Sequence, residues 1–528
     1  MRRRAEGEWF FPLQKKQEVE SEEKSEKSSF FDRDTTNLYN RGSRHGKRSH
    51  SFLERSLDPC HFSPTHFFLP CCRWWLLNWR GHGRLAQGFL LVVSLAFYGK
   101  GNLAFLPLLL GSILFNFLVG KAMGALPRAR KPLLVLGLLG NLGLLGYFKY
   151  ANFFLDNLNW LLGTSIGALS LLLPLGISFF TFQQIAWLVD SFRMETEGYG
   201  FWDYFLFTVY FPKIAMGPIL LHGEFIPQLR EPCRRKADSG HLAEGLMILA
   251  VGLFKKVILA EFFAGPVNWG FAQVEILSST DAFLVMTAYT FQLYFDFSGY
   301  CDMAMGISRM FNLELPLNFN SPYKALSPVE FWKRWHMTLT RFLRKYIYFP
   351  MGGSRKGPMR TCINIMVVFL VSGFWHGAAW TFILWGALHG AAQALNRMLK
   401  QQWENLHTAF QWMATFLFVN LTWVIFRSES IAQAKLFFKR LLDFGNMQIN
   451  PSFMDSFKMA ELPLWLTEHR VFTVLGLYGA VFCLVMNARN MGETELRPTL
   501  LRGAGTAVLL VWSVLSLAGI SSFIYFQF

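Results

Sequence analysis

Acidic residues are scarce in this 528-residue chain: 35 Asp and Glu stand against 51 Lys and Arg, for a formal net charge of +16. Cysteines are few as well, seven in all, at irregular positions and without zinc-type spacing, which excludes a disulfide framework and a structural zinc site. There is no glycine-rich nucleotide loop and no fixed-period repeat, so a nucleotide-cradling fold and a solenoid are both excluded. The start of the chain is basic. It lacks the apolar core of about 7 to 15 residues and the small-residue cleavage site of a secretory signal.

What fills the chain instead is apolar. Hydrophobic residues make up 52% and aromatics 17%, and the mean hydropathy is positive. Crossing a hydrocarbon core takes about 20 apolar residues, and stretches near that length recur at 85–98, 103–119, 131–148, 165–189, 206–221, 242–263, 282–297, 362–395, 410–426, 471–486 and 507–526. The expectation is an all-α, polytopic membrane protein with about eleven transmembrane helices plus re-entrant or interfacial helices. The basic residues sit between the spans, in clusters at 121–131, 230–236 and 355–360, as cytoplasmic loops do. That pattern points to anionic lipid headgroups as the partner and not to nucleic acid.

Residues 1–60, with "EVESEEKSEKSSFFDRD" and "NRGSRHGKRSH", are charged, Ser-rich and without apolar periodicity; a disordered extension is expected there, ahead of one membrane domain over 61–528. The first apolar run, "HFFLPCCRWWLLNW", is short and interrupted by Arg73.

Between 324 and 360 the sequence stays aromatic but carries nine Lys or Arg and one acid. Phe331, Trp335, Leu339, Phe342 and Tyr346 recur at helical spacing on one face, with Lys333, His336, Thr340 and Arg344 on another, so one amphipathic helix at the membrane surface is expected. The preceding "NLELPLNFNSPYKALSPVEFW" holds three prolines and should be irregular, which at membrane depth requires burial or a wet cavity.

The apolar run 362–395 would be roughly 50 Å long as one helix, so a break is expected where Gly373 and Gly377 flank "FWH". His376 then lies near mid-membrane, either as a neutral histidine satisfied between helices or as a proton carrier. His389, ~20 Å further along if the helix continued, could share no metal with it, and a structural role is expected there. His336, in "FWKRWHMTL", is a second histidine among tryptophans. A neutral histidine can take a proton from a hydroxyl, which acyl transfer to an alcohol needs, and the neighbouring cations suit an anionic, phosphate-bearing donor. Asp296 and Asp302 could pair with arginines of the basic helix, cap a helix or orient a histidine.

Five blocks occur in the order in which they stand in a known family: "LPLGISFFTFQQIAWLVD", "YFPKIAMGPI", "FDFSGYCDMAMGISRMF", "FNSPYKALSPVEFWKRWHMTLTRFLRKYIYFPMGG" and "SGFWHGAAWTFILWGALHG". Together they resemble the membrane-bound O-acyltransferase family, and within it the branch of the alginate O-acetyltransferase subunit I, from about Phe67 to the C-terminus. The resemblance implies helices ringing a central tunnel, with the donor entering from the cytoplasm and the acceptor from the other side. It implies catalytic roles for His376 and His336. Substrate would be bound by Lys333, Arg334, Arg341, Arg344 and Lys345, by Trp335 and Trp375, and by Asp296 and Asp302. Where the family commonly has "FSGYSDMA", Cys301 replaces the serine. Acetyl-CoA or another acyl thioester would be the donor, with no bound cofactor and no metal. A periplasmic acetyltransferase and polysaccharide export machinery would be partners in a bacterial inner membrane. "YIYFPMGG" is similar to the alginate-type branch; D-alanyl transfer to teichoic acids, a proton-coupled transporter and a non-catalytic scaffold are the alternatives.

Overall fold

The computed structural model describes residues 83–235, 238–457, 469–488, 490 and 497–517. The N-terminal extension and the run at 66–79 therefore lie outside the described residues. Among those described there are helices and no strand.

The centre is a single 32-residue helix, Ser279–Met310, roughly 48 Å long. Ser278 starts it: its side chain accepts from the Asp281 N–H, and the Asp281 carboxylate accepts from the Ser278 N–H. All of its residues except Thr280, Phe283 and Arg309 are buried. A helix covered on every side is a core element, and lipid does not face it. The Ser239–Phe254 helix runs antiparallel against it, and glycine allows the approach. An added Cβ on Gly245 would lie 2.5 Å from the Gly306 carbonyl oxygen, and one on Gly252 would lie 2.8 Å from that of Gly299. Both pairs are spaced by seven residues, so the same faces meet two turns apart.

A second hairpin comes from the long apolar run. The Pro358–His376 helix ends at the expected place, Gly377 is extended (φ −163°, ψ 155°), and the Trp380–Met398 helix begins three residues later. The chain then doubles back. A Cβ on Gly373 would be 2.3 Å from the Phe382 carbonyl oxygen, and one on Gly386 would be 2.4 Å from that of Phe369. His389 is thus returned to the bundle interior beside His376 and is not carried away along a continued axis.

Among the described residues, five helical stretches are long and apolar enough to cross a membrane: Leu103–Ala125, Pro127–Leu162, Pro358–His376, Thr408–Arg427 and Arg470–Asn487. Their outer faces carry exposed apolar side chains such as Leu118, Leu139 and Met413, as lipid contact requires. Two expected spans fold otherwise. In 165–189 the helix begins only at Ile177, after Pro174 and the left-handed Gly176 (φ +67°). In 206–221 the chain leaves helix at Tyr210, makes one short turn, Phe211–Ile214, and becomes irregular through Gly217 and Pro218.

Candidate functional site

The expected amphipathic helix around His336 is not one helix. Ser327 caps Pro328–Arg334 by accepting from the Glu330 N–H, but Trp335 is extended and His336 is left-handed, with φ +44° and ψ +52°. Met337–Leu343 follows in a new direction. The cause lies in Asn318. Its carbonyl accepts from the Met337 N–H (3.0 Å), and its side-chain Oδ1 accepts from the Thr338 N–H (3.2 Å) and the Thr338 hydroxyl (2.9 Å). These groups pull the backbone out of helix. A non-glycine residue in this region costs about 1–3 kcal/mol and persists only where its surroundings dictate it. The segment is also no surface element: Phe331, Trp332, Trp335, His336, Leu339 and Phe342 are buried.

The same amide fixes the tautomer of His336. Asn318 Oδ1 accepts from a backbone N–H, so it is the carbonyl oxygen, and His336 Nδ1, 3.1 Å away, must carry a proton. In the neutral ring the lone pair is then on Nε2, which is buried and has no hydrogen-bond partner among the described residues. Full burial lowers the pKa of His336 and keeps it neutral. Asn318 Nδ2 donates to Cys301 Sγ at 3.3 Å, and the edge of the Phe297 ring packs on the imidazole with centroids 4.8 Å apart.

His376 ends its helix among Trp375, Trp385 and Phe426, with ring centroids 4.9, 5.3 and 5.3 Å away. Its centroid is 6.4 Å from that of His336, so the two histidines, 40 residues apart in the chain, share one aromatic enclosure. Trp375 walls it, 6.1 Å from the His336 ring and 4.9 Å from that of His376, and Trp335 stands behind Trp423. Trp335 packs on Phe319 and Trp423, and Trp375 stacks on Phe182 while its indole N–H donates to the Ser178 carbonyl. His389 is settled differently. Trp332 Nε1 donates to its Nδ1 (3.1 Å), which leaves its Nε2–H to donate to Thr422 Oγ1 (3.0 Å), so both nitrogens are used. The expected structural role fits.

The predicted acids and cations are distributed otherwise than expected. Asp296 and Asp302 are not at a helix end. They lie mid-helix, where Asp296 pairs with Lys256 at 2.5 Å and Asp302 with Lys255 at 2.6 Å. Of the five cations assigned to the donor, Arg334 bonds Glu330, Arg341 bonds Glu224 and Lys345 bonds Asp190 and Glu195. Arg344 lies over the Phe349 ring, and Lys333 is exposed.

Sequence reasoning missed four groups. Asn318 and the pair Lys255–Lys256 are two. A third is Lys149, whose Nζ donates to the carbonyls of Trp375 and His376, each at 2.8 Å; its signal was a lysine inside the aromatic run "YFKYANFF". The fourth is a hub at Asp190, where Oδ2 meets His222 Nε2 (3.0 Å), Lys345 Nζ (3.0 Å) and the Tyr346 hydroxyl (2.6 Å). Burial alone would raise its pKa, but these hydrogen bonds hold it below the usual carboxylate range. Asp190, Glu195 and His222 cluster closely enough to bind a metal ion. The Lys345 ammonium, 3.0 Å from both carboxylates, and the Arg193 guanidinium, 3.7 Å from Asp190, already balance the two negative charges of that cluster.

A helical membrane bundle with two histidines enclosed at its centre is the architecture of a membrane acyltransferase. The sequence model of the membrane-bound O-acyltransferase family matches residues 136–432, and the chain belongs to that family. The peptidoglycan O-acetyltransferase of Helicobacter pylori is 42% identical over 392 residues, 68% of this chain and 74% of that protein. The probable alginate O-acetylase AlgI of Pseudomonas aeruginosa is 38% identical over 371 residues, 68% of this chain and 70% of that protein. The teichoic acid D-alanyltransferase of Streptococcus thermophilus is more distant, 28% identical over 44% of this chain and 58% of that protein.

Proposed function

We propose that this acyltransferase moves an acetyl group from a cytoplasmic thioester, acetyl-CoA or a close equivalent, to a hydroxyl destined for an exported cell-envelope glycan. The observation that carries it is the histidine pair: His336, with its tautomer locked and Nε2 unpartnered, 6.4 Å from His376. His376 takes the proton of the acceptor hydroxyl as that oxygen attacks the thioester carbonyl. The carbon–sulfur bond breaks, and the departing thiolate takes the proton, leaving an ester and a free thiol. The neutral His336 offers Nε2 as a second acceptor for the same proton. The aromatic walls, Trp375 among them, keep water away from the thioester.

Donor entry falls on the basic side, where Lys333, Arg355, Lys356 and Arg360 are exposed and Arg344 is half-buried. Asp296 and Asp302 serve the frame through their lysines. The stronger likeness to the peptidoglycan enzyme, 42% against 38%, favours a peptidoglycan-type acceptor over alginate. A bacterial inner membrane, a periplasmic acetyltransferase and a glycan-export assembly complete the proposal.

The test is acetyl transfer from a radiolabelled thioester in membranes containing the protein, read as alkali-labile acetyl in the glycan fraction. Label should enter with the unaltered protein and not with His376→Ala. Equal labelling by both would overturn the assignment.

A further inference from the structure

Helix ends leave their last carbonyls without intrahelical partners, and the C-terminus carries the negative end of the macrodipole. The helix that delivers His376 ends abruptly, and Gly377 after it is extended. A distant part of the chain supplies the cap. The Lys149 ammonium donates to the Trp375 and His376 carbonyls, each at 2.8 Å, with Ser178 Oγ at 3.4 Å. The neighbouring Tyr150 hydroxyl donates to the Phe374 carbonyl at 2.8 Å, and the Tyr150 and Phe374 rings stack 4.1 Å apart. Three consecutive carbonyls are thus held by two consecutive side chains.

Consecutive residues of an α-helix point about 100° apart and do not share a face. Lys149 and Tyr150, which end a π-helical turn, Gly146–Tyr150, nevertheless reach one target with their long side chains. Such turns are rare and gather at functional sites. The other two π turns among the described residues act alike. Lys255 and Lys256 reach Asp302 and Asp296 on the central helix, and Lys345 and Tyr346 both reach Asp190 Oδ2. Those two bind carboxylates and join helices. The one at Lys149 is distinct, because its target is the backbone that carries His376.

We propose that Lys149, seconded by Tyr150, is a positioning residue. Its two hydrogen bonds hold the last turn of the Pro358–His376 helix, and hence the His376 imidazole, in the geometry that acetyl transfer requires. This rests on the role given above to His376. Helix-end fraying would misplace the ring by an ångström or so, an error that can cost about 10²-fold in rate.

The test compares Lys149→Met, Lys149→Arg and Tyr150→Phe in the labelled-thioester assay, beside the unaltered protein and His376→Ala. Lys149→Met should lower kcat about 100-fold while the KM for the thioester and the melting temperature in detergent stay near those of the unaltered protein. Lys149→Arg keeps charge and donors and should restore most of the rate; Tyr150→Phe loses one neutral hydrogen bond and should lower kcat about fivefold. A Lys149→Met protein that folds and turns over at the unaltered rate would overturn the clamp. So would a loss that Lys149→Arg does not restore. If Lys149→Met does not accumulate in membranes, Tyr150→Phe decides: unchanged kcat overturns the proposal, and a several-fold fall at unchanged KM supports it. No transfer by the unaltered protein would instead sink the assignment of function.

Discussion

His336 and His389 are both fully buried, both packed against tryptophan and phenylalanine, and both on the inner side of the same bundle. At His389 both ring nitrogens are answered: the ring accepts from Trp332 and donates to Thr422, whose hydroxyl passes on to the Val419 carbonyl. At His336 one nitrogen is held by Asn318, the other has no hydrogen-bond partner among the described residues, and the backbone is bent into a conformation that costs energy. A closed network stabilises and does little else. An open one, maintained at a cost, leaves a nitrogen that another molecule can engage.

The contrast is breakable by mutation, and the largest effects should come at the open end. His336→Ala and His376→Ala should each lower acetyl transfer at least about 10³-fold, within the 10²–10⁴ that a positioned acid–base group contributes, with little change in melting temperature. A retained rate in His336→Ala would put that ring among the packing residues. Asn318→Ala comes next: it releases the tautomer and the bend together, and kcat should fall by about ten- to a hundredfold, the acid–base contribution being partly lost. Unchanged kcat would show that His336 needs no orientation. The smallest effect on rate should follow His389→Phe. It leaves the buried Trp332 N–H unanswered and takes away the donor to the Thr422 oxygen, costing about 1–3 kcal/mol of stability, so the protein should melt earlier yet keep its rate per folded molecule. Lost rate at unchanged melting would make His389 part of the site.

The legible parts of the molecule were those that rest on composition and local chain rules. Apolar length announced helices in a membrane, and the glycines around His376 announced where a helix had to end. The same run did not show that the chain reverses there, since that direction is set by Gly373 and Gly386 meeting across the hairpin. Helical periodicity misread the segment 331–346 as one helix because it ignores Asn318, which lies 18 residues upstream of His336 and outcompetes the helical hydrogen bonds. Lys149 meets its carbonyl partner across 226 residues, a contact no local pattern records. The partners of Asp296 and Asp302 were sought among nearby arginines, whereas both are lysines from the preceding helix, 40 and 47 residues earlier.

The glycine contacts between the Ser239–Phe254 helix and the central one have a mechanical consequence. With backbone on backbone at Gly245–Gly306 and Gly252–Gly299, and ion pairs from Lys255 and Lys256 just beyond, the two helices have no side-chain cushion along which to slide. They form a stiff spar through the molecule. Any opening that admits donor or acceptor must be hinged elsewhere, in the outer spans or the hairpin that ends in His376, while the spar supplies the fixed frame against which those parts move.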